Sequence, residues 1–134
     1  MSTPPDIGPH IKAVTTALTD RGLVVGDGSA PNPIPATRRY VALYFDPGQV
    51  SSESLGDRRS VLSLGFQATC VGPTATECLW VAQQVRVALF GRLVVSGRTT
   101  WRPEDLGGPP VQRDDDVSPP VFYLPVQYRL QSTS

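Results

Sequence analysis

Few side chains in this sequence could do chemistry: a single histidine, two cysteines and a run of three aspartates. His10 lies near the edge of the apolar stripe of a predicted first helix, where a packed or surface imidazole is more common than a catalytic base. Without a second histidine, a Ser-His-Asp or Cys-His site would have to be built on His10, in a terminal turn that we expect to be mobile. The sequence therefore predicts no catalytic set and no enzyme.

The cysteines and the acidic run offer no cofactor site. Cys70 and Cys78 lack the spacing of a zinc site, and both point inward on the predicted elements, as buried small hydrophobes do. The run from Asp114 to Asp116 lies in a Pro/Gly-rich segment with Glu104 and Asp105. Magnesium sites take their ligands from rigid, separated elements, so a solvated loop is the favoured interpretation. We expect neither metal nor cofactor.

Length and charge narrow the class of protein. The chain has 134 residues, which favours a single domain over 1–134, and 12 basic against 12 acidic residues give a net charge of zero. A neutral chain has no general attraction to nucleic acid or anionic membranes. The N-terminus lacks the features of a secretory signal, and no apolar run approaches the roughly 20 residues that span a bilayer. We expect a soluble protein made in a reducing cytosol.

The first half of the chain predicts one helix and two strands. Apolar residues at helical spacing indicate a helix over residues 7–21, with Asp6 as its cap and Gly22 as its stop. Residues 24–39 predict an irregular connector, and β-formers predict a strand over 39–45. Alternating residues predict a half-buried strand over 62–70. We expect the two strands to pair as an antiparallel hairpin with a long polar loop, residues 46–60, as an arm.

The second half predicts one more helix and two more strands. Thr74 and Glu77 form a capping box that starts a helix running to about Phe90, with Gly91 closing it. A short strand over 92–96, a long polar loop over 103–120, a strand over 121–130 and a frayed tail over 131–134 follow. Pro125 predicts that the last strand lies at an edge or carries a bulge. The fold class is therefore α+β, an antiparallel four- to five-stranded sheet with two helices packed on one face, in the order α-β-β-α-β-β.

The second helix carries apolar residues on two opposite sides. Its predicted core stripe consists of Ala75, Cys78, Ala82, Val85 and Leu89. Trp80 and Val87 fall almost opposite that stripe, beside Gln84. A loop folded over Trp80 would explain this, and so would a contact with another protein, because tryptophan is enriched at interface hot spots. We favour the interface, since both long loops are polar and cover apolar surface poorly.

Two arginine pairs flank the predicted arm. Arg39 follows Arg38 at the start of the first strand, and Arg58 and Arg59 end the arm. We include Arg39, Arg58 and Arg59 with Trp80, Val87 and Gln84 in the predicted subunit or partner interface, although plain solvation explains most surface arginines. No basic and aromatic residues interleave as on a nucleic-acid platform, so sequence-specific nucleic-acid binding is not predicted.

The order of these segments resembles a family. The chain runs from the N-terminal helix ending in Arg-Gly through YVALYFDPG, a polar arm, LSLGFQATCVGPTATECLWVAQQVRVALFG, RLVVSG and RDDDVSPPVFYLPVQYRL. This series is similar to the tail terminator proteins of long, non-contractile-tailed bacteriophages, over nearly the whole chain. Its strongest local part is the strand, turn and capped helix over residues 66–91.

The resemblance implies a structural virion protein at the head-proximal end of the tail. Such a protein forms a homo-oligomeric ring, commonly a hexamer, which caps the tail tube, stops its polymerisation and offers a surface to the head-side connector, with genomic DNA passing through. It implies no catalytic residues. Alternatives are another head–tail connector or minor tail protein, a small dimeric ligand-binding module with Trp80 lining a pocket, and a metal-dependent hydrolase using Asp114–Asp116.

Overall fold

Two helices and eight strands form the part of the chain that the computed structural model describes, residues 4–52 and 60–134. In chain order they are α1 (Gly8–Asp20), β1 (Val25–Asp27), β2 (Tyr40–Phe45), β3 (Gln49–Ser52), β4 (Ser60–Gly72), α2 (Ala75–Ala88), β5 (Thr99–Thr100), β6 (Glu104–Gly107), β7 (Gln112–Asp114) and β8 (Val121–Thr133). The predicted α+β class with a largely antiparallel sheet is confirmed. The predicted strand number and element order are wrong, because short strands occupy segments that lack any sustained period.

One sheet holds all the described strands. Its main path is β1-β2-β4-β8-β5, while β3 also pairs with β4, and β6 and β7 also pair with β8. Every pairing is antiparallel except that of β1 with β2. The long central pair is β4 and β8, in register from Val61 opposite Thr133 to Gly72 opposite Phe122. This pair is the scaffold on which the other elements are arranged.

The core lies between one face of this sheet and the two helices. Cross-strand rows such as Leu43, Ala68 and Val126 place buried side chains on the same face, because side chains alternate along a strand. Val14 and Leu18 of α1 and the buried side of α2 complete the same apolar cluster. The prediction that both helices pack on one face of the sheet is therefore confirmed.

The helix α1 matches its prediction within one residue at each end, but its cap differs. Ile7 is the N-cap residue and makes no side-chain capping bond, while Asp6 Oδ1 accepts a hydrogen bond from the backbone N–H of Gly8 at 2.9 Å. Gly22 adopts a φ of 87°, and its N–H donates to the Thr19 carbonyl at 2.9 Å. The predicted glycine stop is confirmed, since this left-handed backbone suits a residue without a Cβ.

The predicted polar arm is partly strand. β3 and the beginning of β4 continue the β2–β4 hairpin beyond a break at Asp46. The Oδ1 atom of Asp46 accepts hydrogen bonds from the backbone N–H groups of Gly48 at 2.8 Å and Gly65 at 3.1 Å. The hairpin prediction is confirmed, and the prediction of loop throughout 46–60 is wrong for residues 49–52 and for Ser60, which begins β4. The predicted contact residues Arg58 and Arg59 lie outside the described residues.

The predicted long loop over 103–120 is wrong in the same way. β6 and β7 form from polar sequence because the outer edge of β8 offers unpaired backbone groups to them. Pro125 lies opposite the gap between these two strands, since Gly107 pairs with Gln127 and Gln112 pairs with Tyr123. The missing N–H of proline therefore coincides with a break in the neighbouring ladder, while β8 itself is not the edge strand.

Two further predictions near the C-terminal half are wrong. Residues 92–96 form no strand, and only Val95 makes an isolated bridge, to Arg98. The tail predicted to fray is the end of β8, and Ser132 is fully buried. The order of the tail arises from a long-range partner, since Ser132 pairs with Leu62 across the sheet.

Candidate interaction surface

The turn before α2 fixes the direction of that helix. Thr74 is its N-cap, and Thr74 Oγ1 accepts a hydrogen bond from the backbone N–H of Glu77 at 3.1 Å. The Thr74 hydroxyl in turn lies 3.2 Å from Glu77 Oε2. Gly72 lies so close to the helix that a Cβ there would come within 2.6 Å of the Cys78 backbone nitrogen. The predicted cap is confirmed, and the glycine lets the end of β4 approach the first turn of α2.

The buried side of α2 matches the predicted stripe except at two positions. Cys78, Ala82, Val85 and Leu89 are buried as predicted, Val81 is buried as well, and Ala75 is exposed. Ala75 is the first residue of the helix. The helix ends at Ala88 with Leu89 as its C-cap, and the backbone of Gly91 is not left-handed, so the predicted glycine stop is wrong here.

The opposite side of α2 is an apolar surface. Its exposed side chains are Leu79 (53%), Trp80 (46%) and Val87 (41%), and Phe90 (65%) follows just beyond the end of the helix; we call these four residues the outer face of α2. The sequence prediction named Trp80 and Val87 and missed Leu79 and Phe90. The signal was present, because Leu79 and Phe90 are eleven positions apart, about three turns of a helix, and so point in nearly the same direction.

An arginine lies over each aromatic ring of this face. The guanidinium carbon of Arg39 is 4.9 Å from the centroid of the Trp80 ring, and that of Arg102 is 4.5 Å from the centroid of the Phe90 ring. Both distances are within the range of cation–π contacts. The structure thus brings together two predicted interface residues, Arg39 and Trp80, from distant parts of the sequence, and it adds a second pair of the same kind.

Two polar side chains of α2 beside the outer face, Arg86 and Gln84, are paired within the chain. Arg86 Nε donates to Asp105 Oδ2 at 3.0 Å, and Arg86 Nη1 donates to Gln83 Oε1 at 3.2 Å. Gln84 Oε1 accepts a hydrogen bond from Arg21 Nε at 2.9 Å, which places this predicted contact residue against the end of α1. The outer face therefore has an apolar centre with two ring-stacked guanidinium groups on it.

The candidate chemical groups lie apart from this surface. His10 is fully buried, and the expectation of a mobile terminal turn is wrong there. Burial raises the pKa of Cys70 to about 12 and that of Cys78 to about 11, the charge of Cys78 adding to the effect at Cys70. Such thiols are poor nucleophiles at neutral pH, because the reactive species is the thiolate.

The acidic run makes local contacts. Asp115 Oδ1 and Arg113 Nε lie 2.6 Å apart and form an exposed ion pair. Asp114 Oδ1 accepts a hydrogen bond from the backbone N–H of Asp116 at 3.0 Å. Within residues 4–52 and 60–134, no three histidine, cysteine or acidic side chains come together as a metal site would require.

A shallow groove runs between α1 and residues 92–96. It encloses about 630 Å³, and its lining includes Ala13, Ala17, Leu93 and Val94. Val94 is 89% exposed, and Trp80 does not line this groove. The prediction that Trp80 lines a concave ligand site therefore has no counterpart in this groove. In the described part of the chain, no helix is long and apolar enough to cross a membrane.

Comparison with known proteins finds a likeness in fold. No protein-family model and no curated protein matches the sequence. Among solved structures, the fold is similar to that of a chain in the virion of a native gene transfer agent particle, with a TM-score of 0.60 and 23% sequence identity. The likeness covers 91% of this chain and 86% of that one. At this identity the match establishes a shared fold over nearly the full length of both chains.

Proposed function

We propose that this protein is a structural component of a phage-like virion. The observation that carries the proposal is the shared fold with a chain of the gene transfer agent virion, which extends over 91% of this chain. The exposed apolar face of α2 supports the same conclusion, because a subunit that works by assembly needs such surfaces.

Within that class, we propose the role of tail terminator. The supporting observation is the segment order of the sequence, which resembles that family from the first helix to the last strand. On this proposal the protein forms a homo-oligomeric ring, a hexamer, at the head-proximal end of the tail. The ring binds the last tail-tube ring, stops tube polymerisation and presents a surface to the head-side connector. It performs no catalysis.

The outer face of α2 is the proposed contact with the next subunit. A closed ring joins two different patches of each subunit head to tail, so this face would dock on a separate region of its neighbour. Trp80 is suited to the centre of such a contact, because tryptophan and arginine dominate binding energy when desolvated and Arg39 is stacked on its ring. Leu79, Val87 and Phe90 would exclude water around it.

The test is the mass of the purified protein in solution, measured by light scattering over a wide concentration range. The measurement is repeated with tail-tube protein from the same particle. A closed species of about six subunits, either alone or on addition of tube protein, is expected. A control with the tail-tube protein of an unrelated phage shows whether the effect is specific. A monomer or dimer whose mass does not change when its own tail-tube protein is added would contradict the terminator role.

Electron microscopy of tail tubes assembled with the protein separates the alternatives inside virion assembly. A terminator caps one end of each tube and limits tube length. A head-side connector would leave tube length unchanged and bind to portal-bearing heads instead. Capped tubes of limited length are the expected result.

A further inference from the structure

A buried polar cluster joins α1 to the end of β8. His10 and Ser132 are both fully buried, and His10 Nε2 lies 2.7 Å from Ser132 Oγ. His10 Nδ1 lies 2.8 Å from the backbone carbonyl oxygen of Asp6. Arg98 Nε donates to the same Ser132 Oγ at 2.8 Å. The cluster therefore connects three segments that are far apart in the sequence.

Within the described residues, one arrangement of hydrogen atoms satisfies every group of this cluster. Arginine can only donate, so Ser132 Oγ accepts from Arg98 and directs its own proton to His10 Nε2. His10 Nε2 must then be unprotonated, and the proton on His10 Nδ1 is donated to the Asp6 carbonyl. The geometry thus assigns His10 as the neutral imidazole with its proton on Nδ1. In this arrangement each donor of the series Arg98, Ser132 and His10 has an acceptor.

Protonation of His10 would break this series of hydrogen bonds at Ser132. An imidazolium donates from both nitrogens, so the hydroxyl proton of Ser132 would lose its acceptor in a buried site. The hydroxyl would also lie between two cations, His10 and Arg98. Among the described residues, the charged groups that act on His10 are the Arg98 guanidinium and the Asp6 carboxylate, while Ser132 and Ser60 on the adjoining strand ends do not titrate between acidic and neutral pH.

The electrostatics agree with the geometry. Burial lowers the pKa of His10 below its usual value of 6.5, the hydrogen bond to the Asp6 carbonyl opposes the change, and the Arg98 charge adds to it. The structure at neutral pH is therefore the one with an uncharged imidazole.

We propose that His10, Ser132 and Arg98 form an acid-sensitive latch that holds the first turn of α1 on the end of the sheet. Arg98 Nη2 also donates to the carbonyl oxygens of Ser60 at 2.8 Å and Ser132 at 3.1 Å. Opening the latch therefore loosens the first residue of β4 and the last residues of β8 together with α1. This device is independent of the proposed role in tail assembly.

The first test observes the imidazole directly. The sequence has one histidine, so the protein labelled with ¹⁵N-histidine and purified without a histidine tag gives one unambiguous pair of ring nitrogen signals. At about pH 7.5 they are expected to report the Nδ1-protonated neutral tautomer, with titration below about pH 6.5. The Nε2-protonated tautomer, or titration at 6.5 or above, would overturn the latch.

The second test measures local opening by hydrogen exchange, corrected for the intrinsic pH dependence of exchange. In the wild type, the opening constant of residues 8–14 and 128–133 is expected to rise by up to about tenfold for each pH unit below about 6.5. His10→Gln cannot take up a proton and should remove that pH dependence. Ser132→Ala removes the hydroxyl and should open the same segments at about pH 7.5. Equal pH dependence in the wild type and His10→Gln would overturn the proposal even if both fold normally.

Discussion

The guanidinium carbon of Arg39 lies 4.9 Å from the centroid of the Trp80 ring, although 41 positions of sequence separate the two residues. Arg39 precedes β2 and Trp80 lies on α2, so the contact exists only because β2 and α2 flank the same end of β4. The half-exposed tryptophan ring offers an apolar surface, and the arginine stacked on it adds a positive charge. This surface is the one that we propose binds the next subunit.

Replacing Trp80 by alanine is expected to weaken self-association, or association with tail-tube protein, by about 30-fold or more, which corresponds to a hot-spot loss of about 2 kcal/mol. The free energy of unfolding should fall by only about 1–2 kcal/mol, because the side chain is 46% exposed. Light scattering gives the first quantity and urea unfolding the second. Trp101→Ala is the matched control, since Trp101 is 45% exposed and lies off α2. An oligomer mass equal to that of the wild type at the lowest concentration would refute the contact.

Replacing Thr74 by alanine is expected to lower the free energy of unfolding by about 1 kcal/mol, because the Glu77 N–H loses its capping acceptor. Thr76→Ala is the control on the same helix, where Thr76 is exposed. That change should be neutral or slightly stabilising, since alanine is the better helix former. Urea denaturation of the two variants makes the comparison. Equal stabilities for both would mean that the cap does not stabilise α2.

Replacing Gly72 by alanine is expected to destabilise the fold by about 1–3 kcal/mol. The new Cβ would lie 2.6 Å from the Cys78 nitrogen and 2.9 Å from the Glu77 carbonyl carbon, and backbone atoms cannot move aside without shifting the helix. Gly91→Ala is the control, because nothing lies within 4 Å of a Cβ built there. Thermal unfolding should separate the variants clearly. A Gly72→Ala protein as stable as Gly91→Ala would show that β4 and α2 are not in this close contact.

The two thiols are expected to be inert in the folded protein and to react only on unfolding. Both side chains are fully buried, and the raised pKa values of about 12 for Cys70 and about 11 for Cys78 leave almost no thiolate at about pH 8. A coloured thiol reagent with and without urea measures this. Ser96→Cys adds an exposed thiol as an internal standard, which should react at once. Fast labelling of Cys70 or Cys78 without denaturant would contradict the buried placement.

Acid is expected to lower the stability of the whole fold partly through His10. Its pKa is lowered on folding, so as pH falls through about 6.5 the unfolded chain binds a proton before the folded one does. The His10 contribution to stability is therefore complete above about pH 6.5 and declines below it, down to the pKa of the folded state. Urea unfolding of the wild type and His10→Gln across this range isolates the effect from that of the carboxylates. Below about pH 6.5, the free energy of unfolding should change with pH at different slopes in the two proteins. Parallel curves would show that His10 does not contribute to the loss of stability in acid.

Periodic segments were predictable from sequence and aperiodic ones were not. Apolar residues at helical spacing, followed by Gly22, located α1 within one residue at each end, and the Thr74 capping box located the start of α2. β6 and β7 have no such signal, because their residues are polar and pair only since β8 presents a free edge. For the same reason the loop prediction over 103–120 failed. The outer face of α2 was half predicted: Trp80 and Val87 were identified by helical angle, and Leu79 and Phe90 were overlooked on the same side.

The sequence by itself determined which helices and long strands form and which side of each is buried, because helical and alternating periods are local properties of the chain. Tertiary structure alone decided the contacts between distant segments. It placed Arg39 on Trp80, and it buried His10 against Ser132, which the sequence had indicated as part of a frayed tail. Such contacts depend on the register of β4 with β8 and on the packing of both helices on that pair, which no local pattern encodes.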